Sequence, residues 1–202
     1  MVAAVLLGAG VSVVGWEGMK DYPTYLWRLN HVPAAAAIYP SMMPSLRGLV
    51  QGWGDPMVAS RRLDLLTVGL SLVVLVWAAR QWKADAPRQS RIYLGGVAII
   101  FLATLLTGYH IFIYDISLLL PVVVRAANLG LSSRELDATT RYCLLVGAAA
   151  VMFAPLQLLL IGRERVNLMA AAVLLLAWGY ARAIRIWQSE EVTTAPVCSV
   201  VV

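Results

Sequence analysis

The chain has 202 residues, of which 60% are hydrophobic and 13% are charged, and its formal net charge is +5. Soluble domains usually carry about 25% charged residues, so this composition, with a mean hydropathy of +0.76, excludes a soluble domain and indicates an integral membrane protein. The basic residues are scattered through the loops rather than clustered on one face, which argues against nucleic acid as a partner.

Apolar runs predict about six membrane spans, because a spanning helix needs roughly 20 apolar residues. The first run, 1–15, is short and marginal for a span. The other five predicted spans are 61–80, 92–109, 115–127, 142–162 and 167–186. Within span 115–127, Pro121 predicts a kinked or re-entrant helix. The expected fold is therefore all-α, a polytopic membrane helical bundle over residues 1–188 with a disordered tail over 189–202.

The segment 16–60 has the pattern of amphipathic helices that lie in the membrane interface. The first predicted helix has on one face the apolar residues Trp16, Met19, Tyr22, Leu26 and Leu29. A second, short helix is expected after Pro44, and its apolar stripe consists of Leu46, Leu49, Val50 and Trp53. Arg47 falls on the opposite, polar side of that helix.

Lysine and arginine residues near the span ends predict which ends lie together. Three basic stretches, 80–91, 125–141 and 182–188, fall on one side of the membrane, which we expect to be the cytosolic side. The segment 16–60 and the turn 108–115 then share the outer face. The two cysteines, Cys143 and Cys198, have no spacing typical of a disulfide framework or a metal site, and we expect neither a metal ion nor a cofactor.

His110 and Asp115 are ionisable residues between two apolar runs. An aspartate costs roughly 2.5–3.5 kcal/mol at the centre of a membrane, so these residues either lie at the membrane surface or face a wet cavity. Asp115 also suits the N-cap of the next helix, and His110 suits a hydrogen-bonded ring at the interface. Their spacing is not a catalytic one, and we assign no catalytic residue.

Arg47 is the other candidate for a binding site. A guanidinium group can bind a lipid phosphate through two parallel hydrogen bonds. The alternative is an arginine that only extends its side chain towards the lipid headgroups.

Three stretches carry a resemblance to a known family. They are Gly15-Trp-Glu-Gly-Met-Lys-Asp-Tyr, Tyr39-Pro-Ser-Met-Met-Pro-Ser-Leu-Arg-Gly-Leu and Tyr109-His-Ile-Phe-Ile-Tyr-Asp-Ile-Ser-Leu-Leu-Leu-Pro. They resemble the C-terminal half of bacterial family 87 glycosyltransferases, which are polytopic membrane enzymes of the GT-C class. The resemblance covers most of residues 1–185.

The resemblance implies a membrane glycosyltransferase, or part of one, in the bacterial inner membrane. Such an enzyme moves a hexose, typically mannose, from a polyprenyl-phosphate donor on the outer face. By the resemblance, Arg47 would contact the lipid phosphate, and His110 and Asp115 would line the sugar or acceptor cavity. The adjacent Tyr109 and Tyr114 join them as substrate-binding candidates.

The chain departs from the family in one respect. Enzymes of this class have about twice as many spans, and their catalytic aspartate is expected in the first outer loop of an N-terminal half that has no counterpart here. We therefore expect a truncated or split family member, with a complementary N-terminal half and membrane lipid as partners. The alternatives are a non-catalytic membrane fragment or assembly subunit and, with less support because the spans carry few buried charges, a small transporter.

Overall fold

A computed structural model of the chain describes residues 11–12, 15–21, 24, 43–51, 61–108, 113–153 and 168–194, with backbone alone at 61, 113–114 and 191–194. Within these ranges every regular element is helical, as the sequence predicts. The helices in chain order are α1 (Leu46–Gln51), α2 (Arg61–Gln81), α3 (Arg91–Thr107), a 3-10 helix (Ile113–Leu119), α4 (Leu120–Ser132), α5 (Ala138–Met152) and α6 (Met169–Thr194). Residues 15–21 are also helical.

Three helical stretches are long and apolar enough to cross a membrane, namely Arg62–Gln81, Asp115–Ser132 and Met169–Glu190. The helices α3 and α5 are apolar but shorter. These helices support a multi-pass membrane protein. The expected number of about six spans remains a prediction, because most of the first predicted span lies outside the described residues.

The helix boundaries differ from the predicted spans in the middle of the chain. The predicted span 115–127 continues to Ser132, and α5 begins at Ala138, four residues before the predicted start at 142. Pro121 lies at the start of α4, where the 3-10 helix gives way to an α-helix. A proline suits a first helical turn because its missing N–H would have no partner there. At the position where the sequence predicts a kinked or re-entrant helix, the structure shows a change of helix type.

The last helix is longer than the sequence predicts. α6 continues to Thr194, so the first residues of the predicted disordered tail, 189–202, are helical, and the residues after 194 lie outside the described ranges. Trp187, the first residue past the predicted end at 186, is buried in the core, so packing of the helix continues beyond the predicted span.

The helix α6 forms the centre of the bundle. Of its candidate span, 61% is buried inside the protein, compared with 11% for α2. It packs against α5 and α3. Close approach depends on glycine: a Cβ added at Gly147 of α5 would lie 2.7 Å from the Leu176 Cγ and 3.1 Å from the Leu176 backbone nitrogen. The reciprocal contact places Gly179 of α6 against Leu144 of α5.

The basic stretches meet at one end of the bundle, as predicted. Arg91, at the start of α3, forms an ion pair with Glu135 in the loop before α5. Arg182 of α6 forms a 2.8 Å ion pair with Asp137 of the same loop. We call this end of the bundle the basic end. Its location in the cytosol remains a prediction.

The helix α1 lies at the opposite end. The C-terminus of α2 lies at the basic end, where the ring of Trp82 is 5.2 Å from the ring of Tyr93 in α3. The start of α2 is therefore remote from the basic end. A hydrogen bond from Gln51 to Asp64 connects α1 to this start of α2. This end also holds the last turn of α3 and the 3-10 helix. Of the predicted pairing between the segment 16–60 and the turn 108–115, the described residues therefore place α1, Gly108 and Asp115 at this end. The rest of both segments lies outside the described ranges, and its location remains a prediction.

Candidate functional site

The short helix α1 carries most of a polar cluster, which we call the Arg47 cluster and which consists of Ser45, Arg47, Gln51 and Asp64. The first hydrogen bond of α1 runs from the backbone N–H of Leu49 to the carbonyl of Ser45, directly after Pro44. The helix packs against α2, α3 and α6, so it is covered on several sides. Leu46 and Val50 enter the apolar core, while Arg47 and Gln51 are buried as well.

The structure corrects the predicted orientation of Arg47. Its side chain is only 2% exposed, so it does not lie on a polar face directed at lipid headgroups. An α-helix of six residues surrounded by three others has no solvent-facing side, and its own amphipathic pattern does not decide which side chains are buried. Because a guanidinium group retains its charge, burial makes an anion the natural ligand for it.

The residues around Arg47 are also polar. The side-chain amide of Gln51 donates a 2.8 Å hydrogen bond to the carboxylate of Asp64 in α2. One turn further along α2, the buried Thr67 donates a 2.8 Å hydrogen bond to the carbonyl of Leu63. Ser45 is fully buried, and its Oγ atom has no hydrogen-bond partner in the part of the chain that the structure describes. The cluster therefore holds a buried cation, and the hydroxyl group of Ser45 has unused hydrogen-bonding capacity among the described residues.

Asp115 lies at the same end of the bundle, but not where a helix cap would be. The 3-10 helix begins at Ile113, so Asp115 falls within its first turn rather than before it. Its half-buried carboxylate lines a cavity of about 260 Å³ together with Thr104 and Leu118. An acidic residue in a first helical turn is stabilised by the N-terminal end of the helix dipole.

The other predicted site residues lie outside the described part of the chain. These are Tyr109, His110 and the side chain of Tyr114. The structure therefore places Arg47 and Asp115 at one end of the bundle and leaves the contribution of the other three as a prediction. Among the residues described, no group of three His, Cys, Asp or Glu side chains is arranged to hold a metal ion.

The sequence analysis missed Asp64, Gln51 and Ser45. The signals were present: Asp64 is an acidic residue inside an apolar helix, and Gln51 follows Arg47 by four residues, which places both on one helical face. Polar residues inside membrane spans usually pair with one another or mark a site.

A second polar cluster lies at the basic end. The hydroxyl of Thr140 donates a hydrogen bond to Asp137 and accepts one from the Arg182 Nε at 3.1 Å. The Thr140 hydroxyl, and then the Arg182 guanidinium, hold the pKa of the Asp137 carboxyl below its usual value of 3.8. Every polar group is paired here, so we interpret this cluster as a structural connection between α5 and α6.

Comparison with known proteins gives no relative: no family model, no curated protein and no solved structure matches the chain.

Proposed function

We propose that the Arg47 cluster binds the phosphate of a polyprenyl-phosphate sugar, and that the chain takes part in transferring a hexose, mannose in the first instance, from that donor. The observation that carries the proposal is a buried guanidinium group at one end of an apolar helical bundle, two residues along the chain from a buried serine whose hydroxyl has no hydrogen-bond partner among the described residues. Phosphate oxygens accept hydrogen bonds from both groups.

The position of the cluster suits a lipid-linked ligand. α1 lies at the end of the bundle where α2 begins and α3 ends. A lipid phosphate would meet the protein at this depth. The resemblance of Tyr39–Leu49 to family 87 glycosyltransferases supports the same ligand class. The sugar would then lie on the water side, towards the turn that leads to Asp115.

The chemistry would be a displacement at the anomeric carbon. The acceptor oxygen forms the new bond to that carbon, and the bond to the lipid phosphate breaks. The leaving phosphate gains negative charge, and a cation already in place at Arg47 stabilises that charge without reorganisation. The acceptor hydroxyl must lose its proton to a base, and the resemblance assigns that base to an N-terminal half.

A second candidate function is donor binding without catalysis, in a subunit of a larger membrane assembly. It is favoured by one observation: the carboxylate of the cluster, Asp64, accepts a hydrogen bond from Gln51 and so serves to attach α1 to α2.

Sugar transfer in proteoliposomes tests the proposal and separates the two functions. The purified chain would receive a radiolabelled polyprenyl-phosphate sugar and a membrane extract as the acceptor pool. We expect labelled product when a complementary half is co-expressed, and its loss in Arg47→Gln but not in Arg88→Gln, an exposed arginine of the loop before α3. Donor binding with no transfer under any condition would favour the binding subunit. If the chain neither binds the donor nor transfers the sugar, both functions are contradicted.

A further inference from the structure

Arg125 is a charged residue inside a candidate membrane-spanning helix. It falls both in the predicted span 115–127 and in the basic stretch 125–141, and the structure places it in α4, within the candidate span Asp115–Ser132. The residue is half-buried, and its Nε atom is buried with no hydrogen-bond partner among the residues that the structure describes. A guanidinium group retains its charge, so a ligand that pairs with this side chain would have to be anionic.

The side chain of Arg125 closes one end of an apolar groove between α3 and α4. The groove exists because α3 packs mainly against α6 and α4 mainly against α5. Its volume is about 170 Å³. Besides Arg125, it is lined by Leu94, Val97, Ala98, Phe101, Leu118, Pro121 and Val122.

The groove continues away from the basic end. A neighbouring cavity of about 260 Å³ shares Phe101 and Leu118 with it and ends beside Asp115. Along α3, the joint lining extends from Leu94 to Leu105, which is about 16 Å at the rise of an α-helix. The hydrocarbon core of one leaflet is about half of the ~30 Å bilayer core. The groove therefore has the length of one leaflet.

The depth of Arg125 suits a lipid headgroup. Its neighbour in the lining, Leu94, is within the first turn of α3, which begins at Arg91 at the basic end. A long arginine side chain at that level reaches the interface. The groove, at about 170 Å³, is far smaller than a further helix, which is about 10–12 Å across with its side chains, and its apolar lining suits a hydrocarbon chain.

We propose that this groove binds an anionic phospholipid of the leaflet at the basic end, with its phosphate on Arg125 and one acyl chain against Phe101 and Leu118. Charge complementarity favours this occupant over a zwitterionic lipid. The acidic residue in the joint lining, Asp115, lies at the far end, and the basic end also carries Arg80 and Lys83, which attract anionic lipids. The site is separate from the Arg47 cluster, which lies at the opposite end.

Native mass spectrometry tests the proposal. The full chain would be released from bilayer nanodiscs that contain equal amounts of phosphatidylglycerol and phosphatidylcholine with identical acyl chains. We expect retained phosphatidylglycerol in the parent and a loss of roughly tenfold or more in Arg125→Gln, because a hydrogen-bonded ion pair is removed. The matched control, Arg88→Gln, removes the same charge from an exposed loop position and should retain the lipid.

A second variant leaves the charge intact. Leu118 is 65% exposed at the rim of the groove, so Leu118→Trp fits without disturbing the core and should also lower phosphatidylglycerol retention by obstructing the acyl chain. If Arg125→Gln does not fold, the result for Leu118→Trp alone tests the proposal. Three results would overturn the proposal: equal retention of the two lipids by the parent, equal losses in Arg125→Gln and Arg88→Gln, or displacement of the lipid by inorganic phosphate. Binding of polyprenyl phosphate should be unchanged in Arg125→Gln, which separates this site from the Arg47 cluster.

Discussion

The hydroxyl of Tyr180 in α6 donates a 2.6 Å hydrogen bond to the backbone carbonyl of Val122 in α4. Both residues are buried, and the bond links the central helix to the helix that carries Arg125. A hydroxyl inside an apolar bundle requires such an acceptor, so this bond fixes the position of α4 relative to α6.

Tyr180→Phe should therefore lower the free energy of unfolding by about 0.5–1.5 kcal/mol, the usual value of one net hydrogen bond. Tyr142→Phe is the matched control, because Tyr142 is 68% exposed on α5. Denaturant or thermal unfolding in one detergent would compare them. Equal stability of the two variants would show that the Val122 bond contributes nothing.

Gly147→Ala should destabilise the bundle. The added methyl group would lie 2.7 Å from the Leu176 Cγ and 3.1 Å from the Leu176 backbone nitrogen, so α5 and α6 would have to separate. Overpacking of this kind costs about 1–3 kcal/mol. Gly69→Ala provides the control, since a Cβ at Gly69 of α2 meets no atom within 4 Å and alanine favours a helix. A thermal melt should move down for the first variant and stay level or rise for the second; the reverse order would refute the packing explanation.

The contribution of Asp137 to stability should depend on pH. Its pKa is lowered in the folded protein by Thr140 and Arg182, so its contribution is present above pH 3.8 and is lost as the pH falls through the lowered pKa. Asp137→Asn should be less stable than the parent near neutral pH, and the difference should shrink as the pH falls below 3.8. Melting temperatures of both proteins from neutral pH to below pH 3.8 would test this. A difference that stays constant would mean that the carboxylate is not the titrating group.

The attachment of α1 to α2 should be measurable through Gln51. Gln51→Ala removes the donor to Asp64 and should lower the free energy of unfolding by roughly 1.5–3 kcal/mol, the range for hydrogen bonds to charged groups. It should also weaken donor binding, because α1 carries Arg47. Gln89→Ala, in the exposed loop before α3, should change neither quantity. A loss of stability with unchanged donor binding would show that α1 does not form part of the ligand site.

Much of the bundle could be predicted because the signals are local. The apolar run 61–80 predicts a helix, and the structure places α2 at Arg61–Gln81. A long apolar sequence in a membrane forms a helix because a helix satisfies its own backbone hydrogen-bonding groups. The grouping of the basic stretches is confirmed by the ion pairs of Arg91 and Arg182. Both inferences need only hydropathy and the placement of charged residues.

The site residues depend on tertiary packing and were harder to predict. An amphipathic pattern assigns Arg47 to an exposed side, but α1 is too short to determine its own environment, and contacts with three other helices bury the side chain. Arg125 falls in the predicted span 115–127 and also in the basic stretch 125–141, and the structure places it within α4, which continues to Ser132. In both cases the sequence neighbours of an arginine do not determine which groups its side chain contacts.

Direct binding of polyprenyl phosphate, compared with the uncharged polyprenol, tests the central claim that the Arg47 cluster is a phosphate site. We predict that the parent and Arg88→Gln bind the phosphate form at least about tenfold more tightly than the alcohol, and that Arg47→Gln loses this preference. Ser45→Ala, which leaves the charge in place, should reduce the preference in part. Equal affinity of the parent for the two lipids, or an undiminished preference in a folded Arg47→Gln variant, would contradict the claim.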